Sequence, residues 1–284
     1  MTRLKIITPD DWHVHFRDGE VLKKVVPETC KSFDRAIVMP NLIPPIQSLD
    51  QIIDYKRNIL ENSNINPDFI PLMTFYITEN LNISELINAH KTKNLFACKL
   101  YPAGVTTNSN FGINKIENIY SLLEKMEDLG IPLLIHGEVN DQDVDVFHRE
   151  QVFIEKYLEK IIERFPNLKI TLEHITTKFS VDYIMSKNSN LKASITPHHL
   201  IYNRTDMLAH SIKPHLYCLP ILKKEEDRQS LLKEALSGNE NFFLGTDSAP
   251  HFSYQKESVC GCAGIFNTIN CLETLAQLFD NYDS

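Results

Sequence analysis

Eight short apolar runs recur along the chain, separated by longer amphipathic stretches. They read "DWHVHF" (11–16), "RAIVMPN" (35–41), "IPLMTFYIT" (70–78), "LFACKLYP" (95–102), "IPLLIHGE" (131–138), "KITLEHIT" (169–176), "KASITPHH" (192–199) and "NFFLGTDSA" (241–249). Most are apolar over several consecutive positions, the pattern of parallel strands covered on both faces. Between them the period changes. In "IQSLDQIIDYKRNIL", Ile46, Leu49, Ile52, Ile53 and Ile59 or Leu60 fall on one helical stripe. "INKIENIYSLLEKMEDLG" repeats it with Ile116, Ile119, Leu122, Leu123 and Met126, and Gly130 supplies a C-cap. "REQVFIEKYLEKIIERF" does so with Val152, Tyr157, Ile161 and Phe165.

The strands recur about every 33 residues, the size of a strand–helix–strand unit. This alternation predicts an α/β fold, a (β/α)8 TIM barrel, with 1–284 as a single domain. A doubly wound open sheet is the rival. Its first strand ordinarily leads into a Gly-rich phosphate turn, and His-Val-His stands there instead.

Composition narrows the partners. Of 284 residues, 43% are apolar and 23% charged, enough for one large core, and no low-complexity run marks a linker. The net charge of −8 argues against nucleic acid as the main partner. The N-terminus lacks a signal-peptide core, and no stretch approaches the roughly 20 apolar residues of a membrane span. The expected location is cytoplasmic. Six cysteines are then expected as reduced thiols, with Cys30, Cys98 and Cys271 in the core.

Candidate chemistry collects at the ends of the runs. Residues two apart on a strand share a face, so His13 and His15 point together into the barrel, with Trp12, Val14 and Phe16 facing the helices. Lys99 lies in the fourth run, His136 in the fifth, His174 in the sixth and Asp247 in the eighth. A barrel puts its chemistry at these C-terminal strand ends. One such histidine is readily explained as core packing; four, with a lysine and an aspartate, are not. Imidazoles and a carboxylate are zinc-type ligands, and five of them can hold two ions if something anionic bridges the pair. A neutral Lys99 amine can react with carbon dioxide to give such a bridge, a carbamate; burial and nearby cations favour the neutral amine. The alternative is a Lys99 salt bridge.

These stretches, with "DDWHVHFRDG", "AIVMPNLIPP", "KLYPAGVTTNS", "LLIHGEV", "EHITT", "PHLYCLPILK", "LGTDSAPH" and "KESVCGCAGIFN", resemble the amidohydrolase superfamily and, within it, the monofunctional bacterial dihydroorotases. The resemblance runs from about residue 4 to 280. It implies that His13, His15 and Asp247 bind one zinc, that His136 and His174 bind a second, and that carboxylated Lys99 and a hydroxide bridge the two Zn2+. Arg17, Asn41 and His251 would grip the substrate's carboxylate. The backbone at Leu219 and Ala263 would meet its ring amides, and Thr106 and Thr107 would tip a mobile loop. The implied reaction is the reversible closure of N-carbamoyl-L-aspartate to L-dihydroorotate, a step of pyrimidine synthesis, with Asp247 moving the proton. Other cyclic amidases (hydantoinase, dihydropyrimidinase, allantoinase) and a non-catalytic binding barrel are the alternatives. Cobalt or manganese can replace zinc in such a site.

The resemblance also implies a homodimer with a small-molecule substrate, and a C-terminal tail longer than this one. A thiolate-bound metal at Cys218, Cys260 and Cys262 is a further, weaker candidate. His215 and one of His198 and His199 are expected to support the site's ligands or to be structural, and His90, His148 and His210 to lie on the surface.

Overall fold

The computed structural model describes residues 5–187, 190–259 and 261–282. Eight strands appear where the apolar runs lie: β1 Asp10–Val14, β2 Arg35–Val38, β3 Ile70–Tyr76, β4 Ala97–Leu100, β5 Leu133–His136, β6 Ile170–Glu173, β7 Leu191–Ile195 and β8 Phe242–Leu244. They pair in parallel in the order β1 to β8. The last meets the first just above its end. Asp247 N donates to His13 O (2.9 Å), His15 N to Ser248 O (3.1 Å), and a parallel bridge joins Val14 to Ser248. Asp11 locks this seam: its carboxylate accepts from Thr246 N (2.8 Å), Thr246 Oγ1 (2.6 Å) and His13 N (3.1 Å). The architecture is the expected TIM barrel.

Each run is longer than its strand because the polar residues that close it leave the ladder. Two positions do so in left-handed backbone: His174 follows β6 at φ 43° and Asp247 follows β8 at φ 44°. Non-glycine residues rarely adopt this conformation, and when they do it is often at functional sites.

Three predicted helices form. Leu49–Leu60 buries Ile52, Tyr55 and Ile59 under a Ser48–Gln51 capping box, while Ile53 is exposed. Tyr120–Leu129 ends on Gly130 at φ 68°. A helix over 149–164 contains a π turn at Ile154–Leu158. Further helices are Gly19–Ser32, Ile83–Lys91, Lys178–Ser186, Glu225–Ser237 and Cys271–Asp280. No helix among the described residues is long and apolar enough to cross a membrane.

Outward strand residues such as Ala36, Val38, Cys98, Leu100, Leu133 and Ile135 pack against the helices in the main core. Cys30, Cys98 and Cys271 are free and buried there. Inward residues Ile37, Met39, Ala97 and Leu134 form a separate cluster that plugs the lower barrel. One expectation fails here. Trp12 does not face the helices with Val14 and Phe16; it packs into this plug, its ring 6.2 Å from Phe96 and 5.9 Å from Phe243. The register against β2 shifts between Asp11 and Val14, so an extra residue bulges from β1. The bulge lets Trp12 and His13 break strict alternation.

Candidate active site

Above the plug the barrel interior turns polar. His13, His15, His136, His174 and Asp247 line one cavity, and Arg17, Asn41, Thr106, Thr107, Leu219 and Ala263 complete its wall. His251 joins them through Arg17, with its Nε2 3.2 Å from Arg17 Nη2 and 3.0 Å from Ala263 O. Lys99 lies beneath, fully buried.

The tightest group is a triangle. His13 Nε2 and His15 Nε2 are 3.2 Å apart, and Asp247 Oδ1 lies 3.2 and 3.1 Å from them. Tetrahedral ligands about 2.0–2.1 Å from a zinc ion stand roughly 3.3 Å from one another, so the triangle has the right size. Asn41 Oδ1 lies 2.9 Å from His15 Nδ1 and turns the opposite nitrogen inward. Glu138 Oε2 sits 2.9 Å from His136 Nε2 and leaves Nδ1 as the free nitrogen of that ring. The His136 and His174 rings are 4.7 Å apart.

A second group brings His13, Glu173 and His174 together, with one ligand atom from each within 4.8 Å of the others. His13 Nδ1, Glu173 Oε1 and His174 Nδ1 are buried without a hydrogen-bond partner, although the first two are 3.1 Å apart. Buried polar atoms are seldom left so. A cation beside them would satisfy all three. The donor set and the orphaned atoms therefore fit a metal centre. Lys99 is turned to Glu173, with its ammonium in contact with that carboxylate and 4.7 Å from the centre of the Tyr101 ring.

The electrostatics also favour positive charge. Burial alone would raise Asp247, but the His13 charge and hydrogen bonds from His13 and His15 hold it well below the usual carboxylate range. Glu173 is likewise held at about 2 by His13 and Lys99 against the effect of burial. Burial opposes protonation of His13, yet Glu173 and Asp247 raise it to about 9; His15 is pushed down to about 3 by burial and by Arg17. Two anionic carboxylates thus favour positive charge between them, which His13 carries. Burial also pulls the Lys99 ammonium below its ordinary value.

The wall is built by loops. Arg17 (φ 59°) turns away from Asp18, which caps the next helix at Gly19 N, and its Nε donates to Pro250 O at 3.4 Å. Asn41 Nδ2 donates to Thr107 O (3.0 Å), Asn108 Nδ2 to Asn41 O (2.9 Å), and Thr107 Oγ1 to Ala263 O (3.4 Å). These bonds draw the loop over 103–112 across the mouth. Gly112 is needed there, because a Cβ would stand 2.3 Å from Tyr101 O. The cavity beneath is about 20 Å³, the room of one water.

Comparison with known proteins places the whole chain in a family. The amidohydrolase family model matches residues 6–282. The dihydroorotase of Hahella chejuensis is 51% identical over 280 residues, covering 99% of this chain and 81% of the relative. The chain belongs to the dihydroorotase group of the amidohydrolase family. A solved dihydroorotase from Campylobacter jejuni superposes with a TM-score of 0.88 at 42% identity, over 96% of this chain and 77% of that one. A Saccharomyces cerevisiae dihydroorotase in complex with 5-fluoroorotic acid gives 0.89 at 33% identity, over 97% and 79%.

Several amidohydrolase residues here escape sequence reasoning. Glu173 and Glu138 sit beside predicted histidines in "LEHIT" and "HGEV", and a lone carboxylate closing an apolar run was the available signal. Tyr101 lines the cavity with its hydroxyl buried and unpartnered. His198 Nδ1 lies 3.1 Å from Asn267 Nδ2, which also donates to Thr246 O (2.9 Å) next to Asp247. His199 is structural, with its ring nitrogens near Thr196 Oγ1 (2.7 Å) and Pro220 O (2.9 Å). His215 touches none of the site's ligands; it is exposed and paired with Glu257 at 2.8 Å. Cys218 packs on His199 (3.9 Å) and Pro220 O (3.3 Å), Cys262 is half-buried, and Cys260 lies outside the described residues.

Proposed function

We propose that this barrel catalyses the dihydroorotase reaction, the reversible closure of N-carbamoyl-L-aspartate to L-dihydroorotate, as a zinc-dependent enzyme. The observation that carries the reading is the 3.1–3.2 Å triangle of His13, His15 and Asp247 beneath a cationic wall. His13, His15 and Asp247 would hold one Zn2+ and His136 and His174 the other, with carboxylated Lys99 between them. When bound, the ions supply Lewis acidity, polarising the ring amide and ionising water near neutral pH.

The chain's own groups do the rest. In hydrolysis, ionised Asp247 takes the proton of the attacking water and returns it to the ring nitrogen as the C–N bond breaks. In ring closure it takes the proton of the carbamoyl nitrogen and passes it to the departing carboxylate oxygen, which leaves as water with a second proton from solvent as the C–N bond forms. Arg17 offers a planar fork to the substrate's carboxylate, steadied by Pro250 O, with Asn41 and His251 beside it. Leu219 and Ala263 present backbone to the ring, and Thr106 and Thr107 close the mouth and exclude water.

The carboxylate clamp favours dihydroorotate over cyclic amides that lack a carboxylate. The test compares dihydroorotate with hydantoin and dihydrouracil, using the zinc-loaded parent and Lys99→Ala. Turnover of dihydroorotate by the parent, with metal and activity both lost in Lys99→Ala, is the expected result. Full metal and turnover in that variant removes the bridging role.

A further inference from the structure

Lys256 ends the short helical turn Ser253–Lys256, in a stretch to which the mechanism assigns no role. It is only 4% exposed, yet no carboxylate pairs with it among the described residues. Its Nζ donates instead to three backbone carbonyls: Tyr217 O at 2.7 Å, Cys262 O at 2.8 Å and Gly264 O at 2.7 Å. An ammonium has three N–H donors, and all three are used.

The acceptors belong to the two segments that form the substrate wall. Tyr217 lies two residues before Leu219, and Cys262 and Gly264 bracket Ala263. Gly264 N also donates to Tyr217 O at 3.0 Å, so the ammonium caps a seam between the two. Neither segment is a strand; the second is pinned at its ends by Cys262 N to Gln255 O (3.2 Å) and by the single bridge of Ile265 to Ser248, and Lys256 Nζ lies between those anchors and the first segment. The seam is close-packed: a Cβ on Gly264 would stand 2.7 Å from Ala249 O and 3.0 Å from His251 Cδ2, in backbone at φ 148°. A small shift of 262–264 would therefore displace His251, which leans on Ala263 O, and through it Arg17.

We propose that Lys256 is a positioning residue, an ammonium staple that holds the 217–219 and 262–264 backbone where it meets the substrate's ring and carboxylate. Lysine suits the task. Its flexible stem brings three rotatable donors to a point between carbonyls, which the planar guanidinium of arginine does less well. Burial, Arg17 and Lys256 together push His251 down to about 4, so that imidazole stays neutral beside both cations.

The inference rests on the proposed role of this wall, and the two can be separated. A wall that touches the substrate equally before and during reaction shows in KM and not in kcat. Steady-state hydrolysis of dihydroorotate is measured with the full zinc-loaded chain and with Lys256→Met, Lys256→Gln, Lys256→Arg and, as control, Arg17→Lys. Bound metal and thermal midpoint are recorded for each. Met and Gln are expected to raise KM about 10-fold or more at near-parental kcat and metal content, with partial recovery in Arg. Unchanged KM in a folded Met or Gln variant, with KM raised in Arg17→Lys, overturns the staple and leaves the wall. Unchanged KM in Arg17→Lys as well overturns the wall itself. A fall in kcat alone, or failure of both the Met and Gln chains to fold, also overturns the staple; in the latter case Lys256 is a folding element.

Discussion

The lower and upper layers of the barrel interior are made by alternate residues of the same strands. On β4, Ala97 belongs to the plug and Lys99 to the site; on β5, Leu134 and His136 divide in the same way. Two residues of rise, about 6.6 Å, separate an apolar layer from a charge-dense one. The lower layer buries carbon against carbon. The upper layer holds orphaned nitrogens and a carboxylate oxygen, and its rim includes left-handed residues. Stability comes from below, and the arrangement above is kept at some cost to it.

Substitutions can test that division. The largest effect is expected at the rim. Asp247→Asn removes the proposed proton carrier, and kcat should fall by about 10²- to 10⁴-fold while the urea midpoint stays near the parent's. A variant that keeps its turnover would place the proton transfer elsewhere. The plug should respond in the opposite sense. Leu134→Ala opens a hole among Ile37, Met39 and Ala97 and should cost about 2–5 kcal/mol in urea unfolding, with bound metal and KM unchanged. Loss of metal from that variant would show that the layers are coupled.

The smallest effect concerns His251. Burial, then Arg17, lowers it from its ordinary 6.5 to about 4. Below pH 6.5 the unfolded chain takes up a proton that the folded chain refuses until about pH 4. The stability this group contributes is thus complete above 6.5 and is lost as pH falls toward 4. His251→Asn should flatten the fall of the urea midpoint between those values, modestly because the ring is half-exposed. An unchanged slope would assign the acid sensitivity to other groups.

The barrel was legible because both-side burial leaves unbroken apolar runs, and the ligand candidates because each closed such a run. Trp12 was misread because a bulge carries no Gly or Pro mark here, and period-two reasoning assumes an unbroken ladder. His215 gave no sequence sign of its place: the turn at Pro214–Leu216 points it at Glu257 and solvent. Lys256 was invisible for a different reason. Its partners are carbonyl oxygens, which every residue has, so no side-chain pattern announces them. Side-chain sites leave a trace in composition; sites made of backbone do not.

The seam at Asp11 joins parts of the chain 235 positions apart. Synthesis runs from the N-terminus, so His13 and His15 emerge early and wait for Asp247 until seven strands have already been made. A nascent chain released before Thr246 can stack much of the barrel wall and still lack the carboxylate that completes the triangle. The triangle is therefore completed late in translation, when the final strand closes the ring, and the wall at His251 and Ala263 is made later still.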